Sequence, residues 1–180
     1  FVGDVYFKSA HYLFCGWSFP SPEVSLYRIL GLSKRFPHSR RFGRYNLTYL
    51  DPDKEAEVDS VVGAFMMVRQ EAVEQVGLLD ESFFMYGEDL DWAYRMKQKG
   101  WKVLYNPGVT VLHYKGESSR KESSTTTRAF YQAMLIFYRK HYQKSTFLLF
   151  HWLIVGAIYA RGALAHLTNL LRPTGQKRTI

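Results

Sequence analysis

The sequence predicts an α/β fold, because strand-like and helix-like segments alternate through the middle of the chain. The run from Val58 to Val68 is apolar and rich in β-branched residues, which is typical of a buried strand. The residue patterns of two later segments predict helices that end at Gly77 and Gly100, since glycine readily adopts the conformation that stops a helix. In chain order, the predicted elements are a strand over 58–68, helices over 69–76 and 88–99, and strands over 101–105 and 109–113.

The two ends of the chain differ from this central part. Residues 1–27 are rich in aromatic residues and are punctuated by prolines, which predicts irregular structure, and residues 24–32 predict a short helix ending at Gly31. Residues 125–142 predict an amphipathic helix, because apolar residues repeat at i, i+3, i+4 and i+7. The residues in this repeat are Phe130, Ala133, Met134 and Phe137.

Composition places the chain among folded proteins. Its 180 residues are 47% hydrophobic and 17% aromatic, which is enough for a domain with a real core and argues against disorder. The single cysteine, Cys15, excludes an internal disulfide and a cysteine-based zinc site. The chain opens without an initiator methionine or a basic leader, so we expect it to be a fragment of a longer protein.

The net charge of +8 is placed unevenly. Residues 123–180 hold eight Lys or Arg residues and no Asp or Glu, whereas the rest of the chain sums to zero. Such a tail favours an anionic partner, and a membrane surface is preferred over nucleic acid because the cations alternate with long apolar runs. A second basic run, from Arg28 to Arg44, has six cations and no acid. It is either a solvated loop or a site for a phosphate-bearing ligand or a membrane surface.

The stretch from Ser145 to Ala160 has no formal charge and is followed by Arg161. Sixteen helical residues reach roughly 24 Å, which is shorter than the ~30 Å hydrocarbon core of a bilayer. Extending the span through Arg161 would place a charge deep in the membrane. Shallow membrane insertion, or packing in a membrane-associated assembly, is therefore preferred over a transmembrane span, with a soluble core helix as the alternative.

An acidic cluster follows an aromatic run and a glycine, with Glu88, Asp89 and Asp91 inside four residues. Like charges this close repel, so at least one carboxyl group should have a raised pKa unless a cation or a helix N-terminus compensates. On this stretch alone, a helix first turn and a catalytic site are equally good interpretations.

The order and spacing of several short motifs resemble a known enzyme family. The motifs are Val61-Val62-Gly63-Ala64-Phe65-Met66-Met67-Val68-Arg69, Val76-Gly77-Leu78-Leu79-Asp80-Glu81, Phe83-Phe84-Met85-Tyr86-Gly87-Glu88-Asp89-Leu90-Asp91, Gly100-Trp101 and His113. Over about residues 28–142 the chain resembles the C-terminal, acceptor-binding half of a family 2 inverting glycosyltransferase of the rhamnosyltransferase-like branch.

This resemblance implies the second half of a GT-A, Rossmann-like α/β fold, followed by C-terminal helices. Residues 1–122 would form the acceptor-binding and catalytic-base half, and residues 123–180 a basic, apolar, membrane-associated tail. The N-terminal nucleotide-binding half would be missing, so the fragment alone would be inactive. The acidic cluster would line an open groove, because the half that covers it is absent.

The resemblance also implies roles for individual residues. Asp89 would be the catalytic base, and Glu88 would orient the acceptor or tune Asp89. Asp91 would support the site or pair with a basic residue. Donor or acceptor binding would involve Gly63, Ala64, Tyr86, Asp91 and Trp92. Of the aromatic residues near the cluster, Phe84 is expected to pack in the core.

The implied cofactor is a divalent metal, Mg²⁺ or Mn²⁺, bound mainly by the missing half. His113 at a strand end is the candidate metal contact in this chain, although a lone histidine there is more often structural. The pattern Asp51-Pro52-Asp53 resembles a metal-binding triplet but lies in a turn after the basic run, which is the wrong context.

The predicted function is sugar transfer from a nucleotide-sugar donor to a lipid-linked or cell-surface glycan acceptor. The predicted location is the cytoplasmic face of the cell membrane, as a peripheral or monotopic protein on an anionic surface, without a nucleic-acid partner. The alternative is a non-catalytic module, derived from such an enzyme, that binds a membrane or a partner protein.

Overall fold

The computed structural model describes residues 16–108 and 123–171, and it divides the chain into two compact units. Of the described residues, the first unit comprises 16–80 and 89–108, and the second comprises 81–88 and 123–171. The aromatic run that precedes the acidic cluster thus belongs with the C-terminal helices, whereas Asp89 and Asp91 belong to the first unit.

The first unit contains two small antiparallel sheets. β1 (Gly16–Trp17) pairs with β3 (Ser60–Val61), with Gly16 opposite Val61. β2 (Ala56–Val58) pairs with β4 (Val103–Tyr105), with Val58 opposite Val103.

The prediction of one strand over residues 58–68 is wrong, because the chain changes sheets at Asp59. This residue lies between β2 and β3, and its Oδ2 accepts a hydrogen bond from Ser18 Oγ at 2.6 Å. Its Oδ1 accepts one from Lys97 Nζ at 3.0 Å. The Asp59 side chain thus links Ser18, which follows β1, to Lys97 of the helix Glu88–Gln98. After Val61 the chain continues without strand pairing.

Helices of the first unit begin and end at residues with clear capping chemistry. α1 (Pro22–Ile29) starts after Ser21, whose hydroxyl accepts a hydrogen bond from Val24 N, and proline is well suited to a first helical position. α2 (Leu32–Arg35) is a single turn. α3 (Gln70–Val76) ends at Gly77, which has a φ of 82°, as the sequence predicted.

α4 (Glu88–Gln98) begins with the acidic cluster, and the expected helix over residues 88–99 is confirmed. Ala93 and Met96 are buried on its inner face, and Gly100 follows with a φ of 85°. Ala93 joins the apolar core of the unit. The other buried members of this core are Leu47, Val58, Val61, Val103 and Tyr105.

The second unit is built on two helices. α5 (Ser123–His141) confirms the predicted amphipathic helix, although Met134 of the predicted apolar repeat is 37% exposed. α6 (Leu148–Leu170) packs on α5, and the shared core consists of Leu135, Tyr138, Val155 and Ile158. Polar contacts also join the helices, since buried Asn169 Nδ2 donates a hydrogen bond to Thr127 Oγ1 at 3.1 Å.

α6 is longer than the sequence predicted, because the helix continues through Arg161. Its 23 residues correspond to about 34 Å, which matches the thickness of a hydrocarbon core. The segment Leu148–Asn169 has a mean hydropathy of 1.5, and only 6% of its most apolar part is buried inside the molecule. By length and composition this helix could cross a membrane, so the expectation of a helix too short to span is wrong.

Candidate active site

Asp89 lies in the first turn of α4, and two backbone N–H groups hold its carboxylate. Gly63 N donates a hydrogen bond to Oδ2 at 2.7 Å, and Leu90 N donates one to Oδ1 at 2.7 Å. One donor belongs to the helix itself and the other to the segment that follows β3. The carboxylate is therefore fixed in position from two independent parts of the unit.

Gly63 can approach Asp89 this closely because it has no side chain. A Cβ atom at position 63 would lie 3.1 Å from the Asp89 Cβ and 3.3 Å from Oδ2, which is tighter than ordinary contact. The sequence predicted a small residue here for close approach of a ligand, and the structure brings Gly63 against the proposed base itself. Ala64 is exposed, and its ligand-binding role stays a prediction.

Burial raises the pKa of Asp89 above its ordinary value of 3.8, because the charged carboxylate loses hydration. Hydrogen bonds from the backbone N–H groups of Gly63, Leu90 and Asp89 itself favour the charged form and oppose this shift. The sequence predicted a raised pKa within the cluster from repulsion between like charges. The direction is correct for Asp89, but the cause is burial.

Tyr45 extends the site toward the basic run. Burial raises the pKa of its phenol, Arg28 opposes this shift, and the negative charge of Asp89 adds to it. The Arg28 guanidinium carbon lies 4.0 Å from the centroid of the Tyr45 ring, and the Trp17 ring packs edge-on at 5.4 Å. A cation, a phenol and a carboxylate are thus close enough to influence one another.

Asp91 lies on the buried side of α4 and is fully enclosed. Arg95 Nε donates a hydrogen bond to its Oδ2 at 2.8 Å, so the pairing with a basic residue that the sequence anticipated is present. Because Asp91 has no exposed surface, the expectation that the whole cluster lines an open groove is wrong for this residue. Its assignment to donor or acceptor binding stays a prediction.

Arg95 and Trp92 together hold the end of α3. Arg95 donates to the carbonyl oxygens of Val76 at 2.8 Å and Leu78 at 2.7 Å, and Trp92 Nε1 donates to the Gly77 carbonyl at 2.8 Å. These bonds satisfy carbonyls that the helix end leaves unpaired. The indole nitrogen of Trp92 therefore has a structural partner, and sugar stacking by its ring stays a prediction.

Tyr86 and Glu88 belong to the second unit. Tyr86 has a φ of 69°, a left-handed conformation that is costly for a residue with a side chain, and its ring packs edge-on against Phe130 at 5.9 Å. Glu88 is partly buried. Strained residues are often found at functional sites, and the acceptor-binding roles of both residues stay predictions.

The two phenylalanines that precede the cluster differ in burial. Phe84 is 78% exposed, so the prediction that it packs in the core is wrong. Phe83 is the buried residue, and its ring carbons would lie 3.2 Å from a Cβ atom at Gly87. Gly87 has a φ of 85°, a left-handed conformation that glycine adopts readily, so the position favours glycine for both its backbone and its contact with Phe83.

Comparison with known families decides the classification. The family described as "Glycosyltransferase like family 2" matches residues 34–132, which is more than half of the chain and includes Gly63, Asp89 and most of α5. The chain belongs to glycosyltransferase-like family 2. The resemblance to family 2 glycosyltransferases is confirmed, whereas the placement in the C-terminal half stays a prediction. Membership implies the GT-A α/β fold, of which the described residues show a mixture of helices and short strands.

Several named relatives are glycosyltransferases. N-acetylglucosaminyl-diphospho-decaprenol L-rhamnosyltransferase of Mycobacterium tuberculosis is 30% identical over 133 residues, which cover 74% of this chain and 43% of the relative. Low-salt glycan biosynthesis hexosyltransferase Agl10 of Haloferax volcanii is 32% identical over 106 residues, or 58% of this chain and 31% of the relative. Rhamnosyltransferase WbbL of Escherichia coli is 34% identical over 71 residues, or 39% and 27%.

The chain spans less than half the length of these family 2 relatives. No solved structure matches the chain.

Family 2 glycosyltransferases typically use a divalent metal. Over residues 16–108 and 123–171, no group of three or more His, Cys, Asp or Glu side chains could hold one. The described residues of this family member therefore do not fit a metal site. His113, the predicted metal contact, lies outside the described residues.

Sequence reasoning missed Tyr45 as a neighbour of the proposed base. A tyrosine in a basic, turn-rich segment carries no periodic or motif signal, so only the folded chain reveals it. Arg28 belongs to the predicted basic run, but no local pattern predicts that its guanidinium stacks on Tyr45. The small residue at position 63 was the one local signal that pointed to the contact with Asp89.

Proposed function

We propose that this chain is the acceptor-binding and catalytic-base part of an inverting glycosyltransferase. The observation that carries the proposal is the partly buried Asp89 carboxylate, held by the Gly63 and Leu90 N–H groups and with a raised pKa. A base works best when its pKa lies near the operating pH, so this shift suits proton abstraction. The family match spans this contact and supports the reaction class.

The proposed reaction is a single displacement at the anomeric carbon of a nucleotide sugar. An acceptor hydroxyl oxygen attacks that carbon, and the bond from the carbon to the diphosphate oxygen breaks with its electron pair on the leaving diphosphate. Asp89 accepts the hydroxyl proton as the new bond forms. The backbone N–H groups of Gly63, Leu90 and Asp89 itself use three of the roughly four acceptor positions of this carboxylate, so proton transfer need not break any of these bonds.

The other residues of the cluster have supporting roles in this proposal. Glu88, which directly precedes the proposed base in the sequence, orients the acceptor. Asp91 is occupied by Arg95, and this pair fixes the first turns of α4 and hence the position of Asp89. The raised pKa of Asp89 has burial as its main cause, so the base does not depend on a neighbouring charge for its tuning.

The donor and the leaving diphosphate would bind mainly to a nucleotide-binding half outside this chain. The relatives are more than twice the length of their matched regions, which supports this division. The name of the Mycobacterium tuberculosis relative includes a diphospho-decaprenol, and we propose a lipid-linked acceptor for this chain as well. A divalent metal, if used, would act in that other half, and no step here depends on it.

We also propose that the protein works at the cytoplasmic face of a membrane. α6 supports this because its surface away from α5 is apolar. Exposed large apolar residues on and beside this helix are Phe147, Leu148, Leu149, Phe150, Trp152, Leu153, Tyr159, Leu164 and Leu167. The non-catalytic alternative, a membrane- or partner-binding module, also explains α6 but gives no reason for the partly buried Asp89 carboxylate with its backbone hydrogen bonds.

The proposal is tested by screening nucleotide sugars for transfer, using the full-length protein and membranes that supply lipid-linked acceptors. We expect transfer from one donor class with inversion at the anomeric carbon, read by NMR of the product. Retention of configuration would contradict the single displacement. Failure to bind or transfer any nucleotide sugar would favour the non-catalytic module.

A further inference from the structure

The segment from Leu26 to Arg44, which we call the basic surface, carries unneutralised positive charge. Six Lys or Arg residues lie between Arg28 and Arg44, with no acidic residue among them. Among the residues that the structure describes, Arg41 has an acidic partner, since its Nη2 lies 3.4 Å from Glu23 Oε1. The other exposed cations of α2 and the following loop form no ion pair with a described residue. They are Lys34, Arg35, Arg40 and Arg44.

Apolar side chains are exposed beside these cations. Leu26 and Leu30 lie four residues apart at the end of α1, so they share one helix face, and they are 49% and 62% exposed. Phe36 directly follows α2 and is 45% exposed. Cations interleaved with exposed leucine and phenylalanine are typical of segments that lie in the interface of a bilayer.

The basic surface is folded, so it presents these groups from a fixed scaffold. The Phe42 ring packs against Tyr27 at 5.0 Å and against Phe36 at 5.6 Å. Gly43 is buried, and its N–H donates a hydrogen bond to the Ser39 carbonyl at 2.8 Å. The exposure of Leu26 and Leu30 is thus a property of the folded unit.

The basic surface is continuous with the candidate active site. Arg28 belongs to α1, and its guanidinium lies over the ring of Tyr45. The charge of Asp89 in turn reaches Tyr45. A ligand held beside Arg28 would therefore lie next to Tyr45, whose phenol is influenced by the charge of Asp89.

We propose that the basic surface docks the first unit on an anionic phospholipid bilayer, with Leu26, Leu30 and Phe36 entering the headgroup region. This contact rests on the proposed function, because it brings Asp89 to the plane where a lipid-linked acceptor presents its sugar. It also gives the first unit a membrane contact of its own, in addition to α6. Each basic residue near an anionic bilayer strengthens binding about fivefold.

The test reads the environment of Leu30 in the full chain. With Cys15 replaced by serine, Leu30→Cys is labelled with an environment-sensitive dye and mixed with phosphatidylglycerol-containing vesicles. We expect a blue shift of the dye. Leu78→Cys is the matched control, because Leu78 is also exposed on the first unit but lies outside the basic surface, and its dye should not shift. The readout is local, so anchoring by α6 does not obscure it.

A charge reversal completes the test. Lys34→Glu should lower the fraction of shifted Leu30 dye about fivefold or more, whereas Lys99→Glu, an exposed lysine elsewhere on the unit, should not. Equal shifts at Leu30 and Leu78, or an equal shift with neutral phosphatidylcholine vesicles, would overturn the proposal. A shift seen only after adding polyprenyl diphosphate would also overturn it, by assigning the surface to the acceptor's diphosphate. Asp89→Asn should leave the shift unchanged, so the docking and the proposed function can fail separately.

Discussion

Asp89 combines two opposing influences on one carboxylate. Burial disfavours its charge, whereas N–H groups from Gly63 and Leu90 stabilise that charge and fix its direction. The result is a carboxylate whose pKa is higher than that of an exposed aspartate and which is held in one orientation. Removing either influence should change the chemistry without changing the fold.

Replacing Gly63 with alanine should disturb the base directly. The new Cβ would lie 3.1 Å from the Asp89 Cβ, so the carboxylate must move by a few tenths of an ångström. We expect the rate of sugar transfer to fall by about tenfold to a hundredfold, because small misplacements of a catalytic group are costly. Steady-state kinetics of the full-length enzyme would measure this, with Gly156→Ala as the control because nothing lies within 4 Å of its new Cβ. Equal rates for the two variants would contradict the contact.

Asp89 should also influence how stability depends on pH. Its folded pKa is raised above 3.8, so the folded state holds the proton more tightly, and the carboxyl group costs stability as the pH rises through its folded pKa. Asparagine cannot ionise, so Asp89→Asn should gain stability relative to the wild type between pH 3.8 and neutral pH. Thermal unfolding of both proteins across this range would show the gain. A relative loss with rising pH would mean that the pKa is lowered.

At the residue scale, the resemblance singled out Asp89 but did not predict the residues around it. The glycine and three carboxylates of the motif are local in the chain, so Asp89 could be chosen from the resemblance. Tyr45 reaches the same site from more than forty residues away, and no local pattern encodes that approach. Phe84 is exposed and Phe83 is buried, and the composition of this aromatic run does not distinguish the two.

α4 is the element that connects the site to the rest of the first unit. Its first turn carries Asp89, its buried side carries the Asp91–Arg95 pair, and its last turn carries Lys97, which donates to Asp59 and to the Val58 carbonyl. The helix was predicted well because its glycine stop and apolar spacing are local signals. The strand over 58–68 was predicted wrongly because Asp59 bonds to Ser18 and Lys97, which are distant in sequence.

Arg95→Ala should destabilise the first unit by about 3–5 kcal/mol, because it removes the ion-pair partner of the fully buried Asp91. It also removes the bonds to the Val76 and Leu78 carbonyls. Chemical denaturation would measure the loss, and Gln98→Ala on the exposed side of α4 should change stability by less than about 0.5 kcal/mol. The double variant Asp91→Asn/Arg95→Ala should recover part of the loss. No recovery would show that the carbonyl bonds dominate.

At the scale of the whole molecule, the length of α6 was predicted wrongly from the sequence. Arg161 looked like the end of the apolar run, but the helix continues past it to Leu170. One arginine does not stop a helix, since arginine is a good helix former and its long side chain can extend toward the interface. The charge pattern alone therefore underestimated the length of the apolar helix.

We expect the full chain to stay with membranes after a high-salt wash, because apolar contacts are insensitive to salt. Leu153→Asp on the exposed side of α6 should weaken this association by up to about 3 kcal/mol, the cost of a carboxylate in the membrane centre. Leu78→Asp, at an exposed leucine of the first unit, should have no such effect. Sedimentation with vesicles would measure both. Release of the unchanged chain by salt would limit α6 to packing against protein.

The central claim is that Asp89 is the base of a sugar transfer. The most direct measurement is the single-turnover rate of transfer by Asp89→Asn in the full-length enzyme, at saturating donor and acceptor. The account predicts a rate about 10²–10⁴-fold below wild type with donor binding retained, and an unchanged rate for Glu71→Gln, an exposed carboxylate on α3. A transfer rate for Asp89→Asn equal to that of the wild type would contradict it.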